Sequence, residues 1–93
     1  MNLRASSEPM GEIGVTVRPF ARYAELLGEE CIELRLRAPA TVADAIRALR
    51  AGSESARRLP ERPLVAVDLQ HVLPDRVLTD GDELALLPPL AGG

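Results

Sequence analysis

One change of hydrophobic period in the middle of the chain limits its architecture more than any other feature. Ile32, Leu34 and Leu36 alternate with Glu33, Arg35 and Arg37, the period of two that a strand with one wet face shows. From Thr41 onward the period is that of a helix. Val42, Ala45, Ile46 and Leu49 keep one side apolar, and Asp44, Arg47 and Arg50 lie off it. Pro39 separates the two patterns, Thr41 can cap the helix, and Asp44 three residues later completes a capping-box-like arrangement. The helix is expected to end near Gly52. An element that is apolar on one side must bury that side against another element. One long amphipathic helix beside half-wet strands therefore predicts a helix lying on a sheet.

The flanking segments supply that sheet. Ile13, Val15 and Val17 alternate with small or polar residues and read as a first strand. Pro19 opens a short helical segment over 20–27, where Phe20, Tyr23, Ala24 and Leu27 recur at helical spacing and Gly28 stands as the C-cap. The first two strands, joined by this short link, are expected to pair antiparallel. Leu64, Val65, Ala66 and Val67 form an apolar run, a turn follows over 68–71, and Val72 with Leu73 makes a short strand. Thr79, Asp80, Gly81 and Asp82 form a turn before a last strand over 83–87. Residues 53–62 are polar and arginine-rich, a surface connection. The order predicts an α+β roll with one mixed sheet packed against the longer helix. Residues 1–12 are expected to be a disordered leader, 13–87 the domain, and 88–93 an extended tail.

Composition removes several classes of function. Ninety-three residues at 46% hydrophobic content fit one small domain with one core. The net charge of −3 gives no electrostatic footprint for nucleic acid or an anionic membrane. No signal peptide or membrane span is visible and the single cysteine, Cys31, has no internal partner, so a cytoplasmic location is expected. All 11 basic residues are arginine. Without lysine the chain cannot form a Schiff base, a Walker A phosphate loop, or an isopeptide acceptor for another protein's C-terminus.

The last residues of the sequence are Leu90-Ala91-Gly92-Gly93. Glycine has no Cβ, so a Gly-Gly tail can lie extended in a narrow tunnel and present its carboxylate without side-chain collision. A carboxylate becomes an acyl donor once activated, for example as an acyl-adenylate. From Leu84 to Gly93 no side chain is charged, whereas frayed tails are usually polar. Pro88 and Pro89 bias the chain to an extended path and lower the entropy lost on threading into a partner. An arm from Pro88 to Gly93 reaches roughly 20 Å.

The side chains offer no competing site. Cys31 opens a strand without a metal-spaced partner and reads as a small core or edge residue, and His71 reads as a turn residue. The carboxylates of Asp80, Asp82 and Glu83 lack the spacing of a calcium loop and belong to a tight turn. Arg57, Arg58 and Arg62 fit a solvated loop better than an anion or partner site. No metal ligands are expected. No pair of residues is placed for acid-base or nucleophilic work alone, so the reactive machinery lies in a partner.

Three stretches carry a family resemblance: V-R-P-F-A-R-Y-A-E-L-L-G at 17–28, T-V-A-D-A-I-R-A-L at 41–49, and L-T-D-G-D-E-L-A-L-L-P-P-L-A-G-G at 78–93. The chain resembles the ubiquitin-like sulfur carriers of the MoaD/ThiS family, in particular the molybdopterin synthase small subunit of MoaD type. The resemblance implies a ubiquitin-like β-grasp fold. It also implies a cycle in which an E1-like adenylyltransferase of MoeB type uses ATP to adenylate Gly93 and a sulfur donor protein converts it to a thiocarboxylate. The large synthase subunit, of MoaE type, then takes the tail and passes the sulfur to a pterin precursor in molybdenum cofactor biosynthesis. On this resemblance Gly93 bears the sulfur and Gly92 gives the slim approach. Leu87, Pro88, Pro89, Leu90 and Ala91 line the interface with partners. The carrier binds no cofactor itself and is not an enzyme on its own. Related chains often carry phenylalanine in the last strand, where this one has Leu86 and Leu87.

Other uses of the same ending remain open. One is sulfur carriage on another route, to thiazole, cysteine or tRNA, although the Pro88-Pro89 pair favours the molybdopterin route. A second is a protein modifier, with Gly93 joined to a target lysine as in ubiquitin. A third is a plain interaction domain whose ending is incidental.

Overall fold

The computed structural model describes residues 11–89. Its elements are β1 (Glu12–Pro19), α1 (Arg22–Leu27), β2 (Ile32–Arg37), α2 (Val42–Arg50), a 3₁₀ turn (Ala56–Arg58), β3 (Leu64–Val67), β4 (Gln70–Val72) and β5 (Glu83–Leu87). The strands form one five-stranded sheet in the order β2-β1-β5-β3-β4. β1 and β5 run parallel at its centre, and every other neighbouring pair is antiparallel, including β1 with β2 as expected. This is the mixed-sheet α+β roll that the order of elements predicts, in the β-grasp arrangement that the resemblance implies. β1 begins at Glu12, opposite Arg37, one residue before the expected start of the domain, and residues 1–10 of the expected leader lie outside the described residues.

The core follows the two periods. Val15 and Val17 of β1 and Leu84 and Leu86 of β5 are at most 1% exposed, and α2 adds Val42, Ala45, Ile46 and Leu49 to the same cluster. Three residues absent from the periodic reading complete it, Ala40, Leu59 and Leu78, and Pro19 at the end of β1 is buried as well. Leu59 is 1% exposed inside the stretch expected to be a surface connection. Arg50 holds that stretch down, its Nε donating to Leu59 O at 2.9 Å and its Nη2 to Arg57 O at 3.2 Å.

Pro19 closes a strand instead of opening a helix. Thr16 and Phe20 donate their N–H groups to Asp82 O and Leu86 O, so alternate residues of β1 bond towards β5. The missing N–H of Pro19 falls on the other side, where the ladder with β2 has already stopped at Val17 and Ile32. Phe20 consequently continues the strand path and is 47% exposed, while α1 starts at Arg22, with only Tyr23 of its residues buried. Gly28 caps α1 as expected, left-handed at φ 72° and donating to Ala24 O at 2.8 Å.

The N-terminus of α2 is fully partnered. Val42 N donates to Arg76 O and Ala43 N to Pro74 O, each at 2.9 Å, and Asp44 N donates to Thr41 Oγ1 at 3.2 Å. Thr41 N in turn donates to Asp44 Oδ2 at 2.9 Å, which completes the capping box. That hydrogen bond, and then the Arg47 guanidinium 2.8 Å away, holds the Asp44 carboxyl below the usual carboxylate range. A depressed native value means that this stabilisation is complete above the unfolded value of about 3.9 and is lost as the pH falls through the native one. Asp44→Asn is expected to lower stability by about 0.5 kcal/mol at neutral pH, from the helix-dipole and ion-pair contributions. Urea titrations at a series of pH values should show the two proteins converging below about pH 4.

The hairpin of β3 and β4 is tighter than expected. Asp68 and Leu69 alone make the turn, with φ 54° and 66°, the paired left-handed values of a type I′ turn. His71 therefore belongs to β4, opposite Ala66, and not to the turn. Leu73 lies beyond β4 and is 71% exposed.

Candidate partner-docking site

β5 delivers the tail from the middle of the sheet. Its ladder with β3 ends at Leu64 opposite Leu87, and Pro88 and Pro89, without N–H groups, cannot extend it. Leu84 and Leu86 point into the core, so Glu83, Ala85 and Leu87 face the side of the sheet that carries no helix. Of the residues expected to meet partners, Leu87 and Pro88 are half-buried and Pro89 is exposed. Leu90, Ala91, Gly92 and Gly93 lie outside the described residues. Leu86 and Leu87, the pair standing where related chains often carry phenylalanine, divide between the two faces.

The turn before β5 fixes where this delivery starts. Asp80 Oδ1 accepts from Gly14 N at 2.7 Å, and Gly81 N donates to Gly14 O at 2.7 Å. Asp82 Oδ2 accepts from Thr79 N at 2.8 Å. Gly81 sits at φ 92°, a conformation that a side chain would strain. The Asp80 carboxylate thus pins the turn to β1 while the Asp82 carboxylate closes the turn itself, which agrees with the expected turn.

The helix-free face carries an apolar surface that sequence reading missed. Phe20 and Leu64 are each 47% exposed and Leu69 is 98% exposed. Phe20, Ala66, Leu69 and Ala85 line a shallow groove of about 420 Å³, with the Arg18–Glu83 ion pair on its rim. Cross-strand register places Ala85 between Arg18 and Ala66, and Leu87 beside Leu64, so the groove runs towards the root of the tail. An apolar patch bordered by charge marks an interaction surface. Its sequence signal was the unbroken run 64–67, which is apolar on both faces of the strand, whereas a half-wet strand would alternate.

A second depression, of about 690 Å³, opens between α1 and the segment leading into β3, and Pro89 lies on its wall. Arg22, Arg58 and Arg62 line it and, among the described residues, no acidic residue does.

Cys31 and His71 do not form a pair. Cys31 is exposed and precedes β2, which starts one residue later than expected, so it is neither a core residue nor part of the strand. β2 and β4 are opposite edges of the sheet, which separates the cysteine from the histidine. Among the described residues no cluster of three His, Cys, Asp or Glu side chains is placed to hold a metal ion. Among them, too, no helix is long and apolar enough to cross a membrane.

A five-stranded β-grasp sheet with its last strand at the centre is the fold of ubiquitin-like sulfur carriers and protein modifiers. The chain belongs to the ThiS family, whose sequence model matches residues 17–93. SAMP1 from Haloferax volcanii is similar at 27% identity and a TM-score of 0.76, over 86% of this chain and 99% of that one. A protein from Pyrococcus furiosus assigned as molybdopterin converting factor, subunit 1, is similar at 27% identity and a TM-score of 0.72, over 84% of this chain and 99% of that one. The ubiquitin of Caldiarchaeum subterraneum shares the fold, at 19% identity and a TM-score of 0.62, over 89% of this chain and 100% of that one.

Proposed function

We propose that the chain is the small, sulfur-carrying subunit of a molybdopterin synthase, acting in the cytoplasm, with Gly93 as the residue that carries the sulfur. The observation that carries this reading is the exit of β5. A central strand ends at Leu87 beside an apolar face, and two prolines lead from it to Gly92 and Gly93. The folded body then serves as the handle that partners grip.

In this reading an E1-like enzyme of MoeB type joins the Gly93 carboxylate to AMP, releasing pyrophosphate from ATP. The persulfide of a sulfur donor protein displaces the AMP to form an acyl disulfide, and a thiol then cleaves that disulfide, freeing the thiocarboxylate as the donor sulfur and the thiol join in a new disulfide. Leu87, Pro88, Pro89, Leu90 and Ala91 contact the large subunit of MoaE type, which supplies the acid-base groups while the tail transfers sulfur to the pterin precursor. The carrier holds no cofactor and catalyses nothing alone. It contributes position, which is where much of the barrier to such a transfer is removed. The family membership and the similarity to a converting-factor subunit 1 support the route.

Incubation with the E1-like enzyme, ATP, a persulfide donor and a thiol reductant should exchange one oxygen of Gly93 for sulfur, read by intact mass spectrometry. The loaded protein mixed with the large subunit should then sulfurate the pterin precursor. Loading without transfer to the pterin would point instead to another sulfur pathway, to thiazole, cysteine or tRNA, and absence of loading would refute carriage.

The similarity to SAMP1, a small archaeal modifier protein, favours a second reading as a protein modifier. The lysine-free sequence then restricts the chain to being attached to targets, since it has no side-chain amine to receive another copy. Conjugates of higher mass that vanish on deletion of Gly93 would support it.

A further inference from the structure

We propose that the depression between α1 and the 3₁₀ turn docks an acidic segment, carboxylates flanking one apolar side chain, on the protein that takes up the tail; this rests on the carrier reading above. The charge distribution is the first ground. The chain has 14 acidic residues and a net charge of −3, yet Arg22, Arg58 and Arg62 border this hollow and, among the described residues, no carboxylate lines it. Among the described residues none of the three arginines forms an ion pair. Unpaired guanidinium groups around a hollow favour a carboxylate-bearing occupant, which they can grip with two parallel hydrogen bonds each.

The floor is the second ground. Between the arginines lie Tyr23, Leu26, Leu64 and Pro89, which suit an apolar anchor and give little to a free phosphate. Tyr23 is only 6% exposed, and Arg22 rests against its ring with the guanidinium 5.8 Å from the centroid. The wall is fixed before any partner arrives, because Leu59 is sunk in the core and Arg50 bonds the carbonyls of Arg57 and Leu59. A preformed wall reduces the ordering entropy of docking.

Position is the third ground. Pro89 follows β5, Leu64 of β3 pairs with Leu87 at the end of β5, and both line this hollow, so an occupant would sit beside the point where the tail departs. A partner that held the hollow while receiving the tail would engage two linked sites, and the second contact would form at high effective concentration.

Two measurements test this. In the first, the five-residue peptide Asp-Glu-Leu-Asp-Glu is titrated into the isotope-labelled protein, alongside the same peptide with alanine for leucine, a lysine counterpart, ATP and inorganic phosphate. The acidic leucine peptide should move the amide signals of Arg22, Leu26, Arg58, Arg62 and Leu64 and bind more tightly than every other probe. Equal shifts from phosphate or ATP, or no shifts at these residues, would overturn the proposal. So would signals at Arg58 and Arg62 that change on deletion of Gly93 alone, because the tail would then be the occupant.

In the second, Kd values for the E1-like enzyme and the large synthase subunit are compared among wild type, the double variant R58E/R62E, the double variant R58K/R62K and the distant control Arg37→Glu. R58E/R62E should weaken at least one partner about tenfold at low salt, with the difference shrinking as salt screens it, and R58K/R62K should lose less. The melting temperature should hold, since neither side chain makes a hydrogen bond or ion pair among the described residues. If R58E/R62E matches the Arg37→Glu control for both partners, the proposal fails. If wild type binds neither partner, the carrier reading fails, and the peptide titration decides the hollow by itself.

Discussion

Deletion of Gly93 should abolish sulfur loading while leaving the melting temperature of the domain unchanged. Gly92 would then be terminal, with the same carboxylate chemistry, yet withdrawn from the activating site by one residue, about 3.3 Å of extended chain. A displacement of even 1 Å at a reacting centre can lower a rate about 100-fold, so loading should fall by at least that factor. The buried cluster runs from Val15 to Leu86, which is why stability should not follow. Addition of one bulky residue after Gly93 should have the same effect for the opposite reason, by blocking the approach. Intact mass spectrometry over time reads the loading, and calorimetry reads the fold. If the shortened protein loads at the wild-type rate, the main-chain terminus is not the working group.

The largest loss of stability should come from Leu84→Ala. Leu84 is 0% exposed on the central strand, opposite Val17 on one side and Val67 on the other. Truncating a buried leucine removes transfer free energy and leaves a cavity, costing about 3 kcal/mol. Small domains hold about 5 to 15 kcal/mol in total, and each 1 kcal/mol moves the midpoint by roughly 4 to 8 °C. A fall in Tm of roughly 15 °C is therefore expected. Leu87→Ala, on the half-buried opposite face, should lower it much less and weaken partners instead. If both variants melt together, the assignment of the two faces of β5 is wrong.

The parts of this fold legible in the sequence are those governed by local chemistry. The capping box of Thr41 and Asp44, the C-cap at Gly28, the apolar side of α2 and the turn at Gly81 each depend on residues a few positions apart, and all are found as read. What was misread depends on distant neighbours. Phe20 keeps helical spacing with Tyr23, yet its N–H bonds to Leu86, and that long-range bond keeps it on the strand path. Leu59 lies in a polar stretch and gives no periodic signal. Its side chain packs into the apolar core, and Arg50, nine residues earlier, donates to its carbonyl. His71 was displaced by a turn that uses Asp68 and Leu69 without the glycine that usually announces it. The candidate site divides in the same way. The Gly92-Gly93 ending on which the proposed chemistry rests is read directly from the sequence, whereas the apolar groove and the arginine-lined hollow are assembled from segments far apart in the chain.

The central position of β5 bears on how copies of this protein are made. Both neighbours of that strand, one near the start of the sequence and one past its middle, remain unpaired along an edge until residues 83–87 have left the ribosome. An interrupted translation product would expose its apolar interior and be open to proteolysis. Folding thus acts as a completeness check, so that any stably folded molecule has been synthesised at least as far as the strand that leads into residues 88–93.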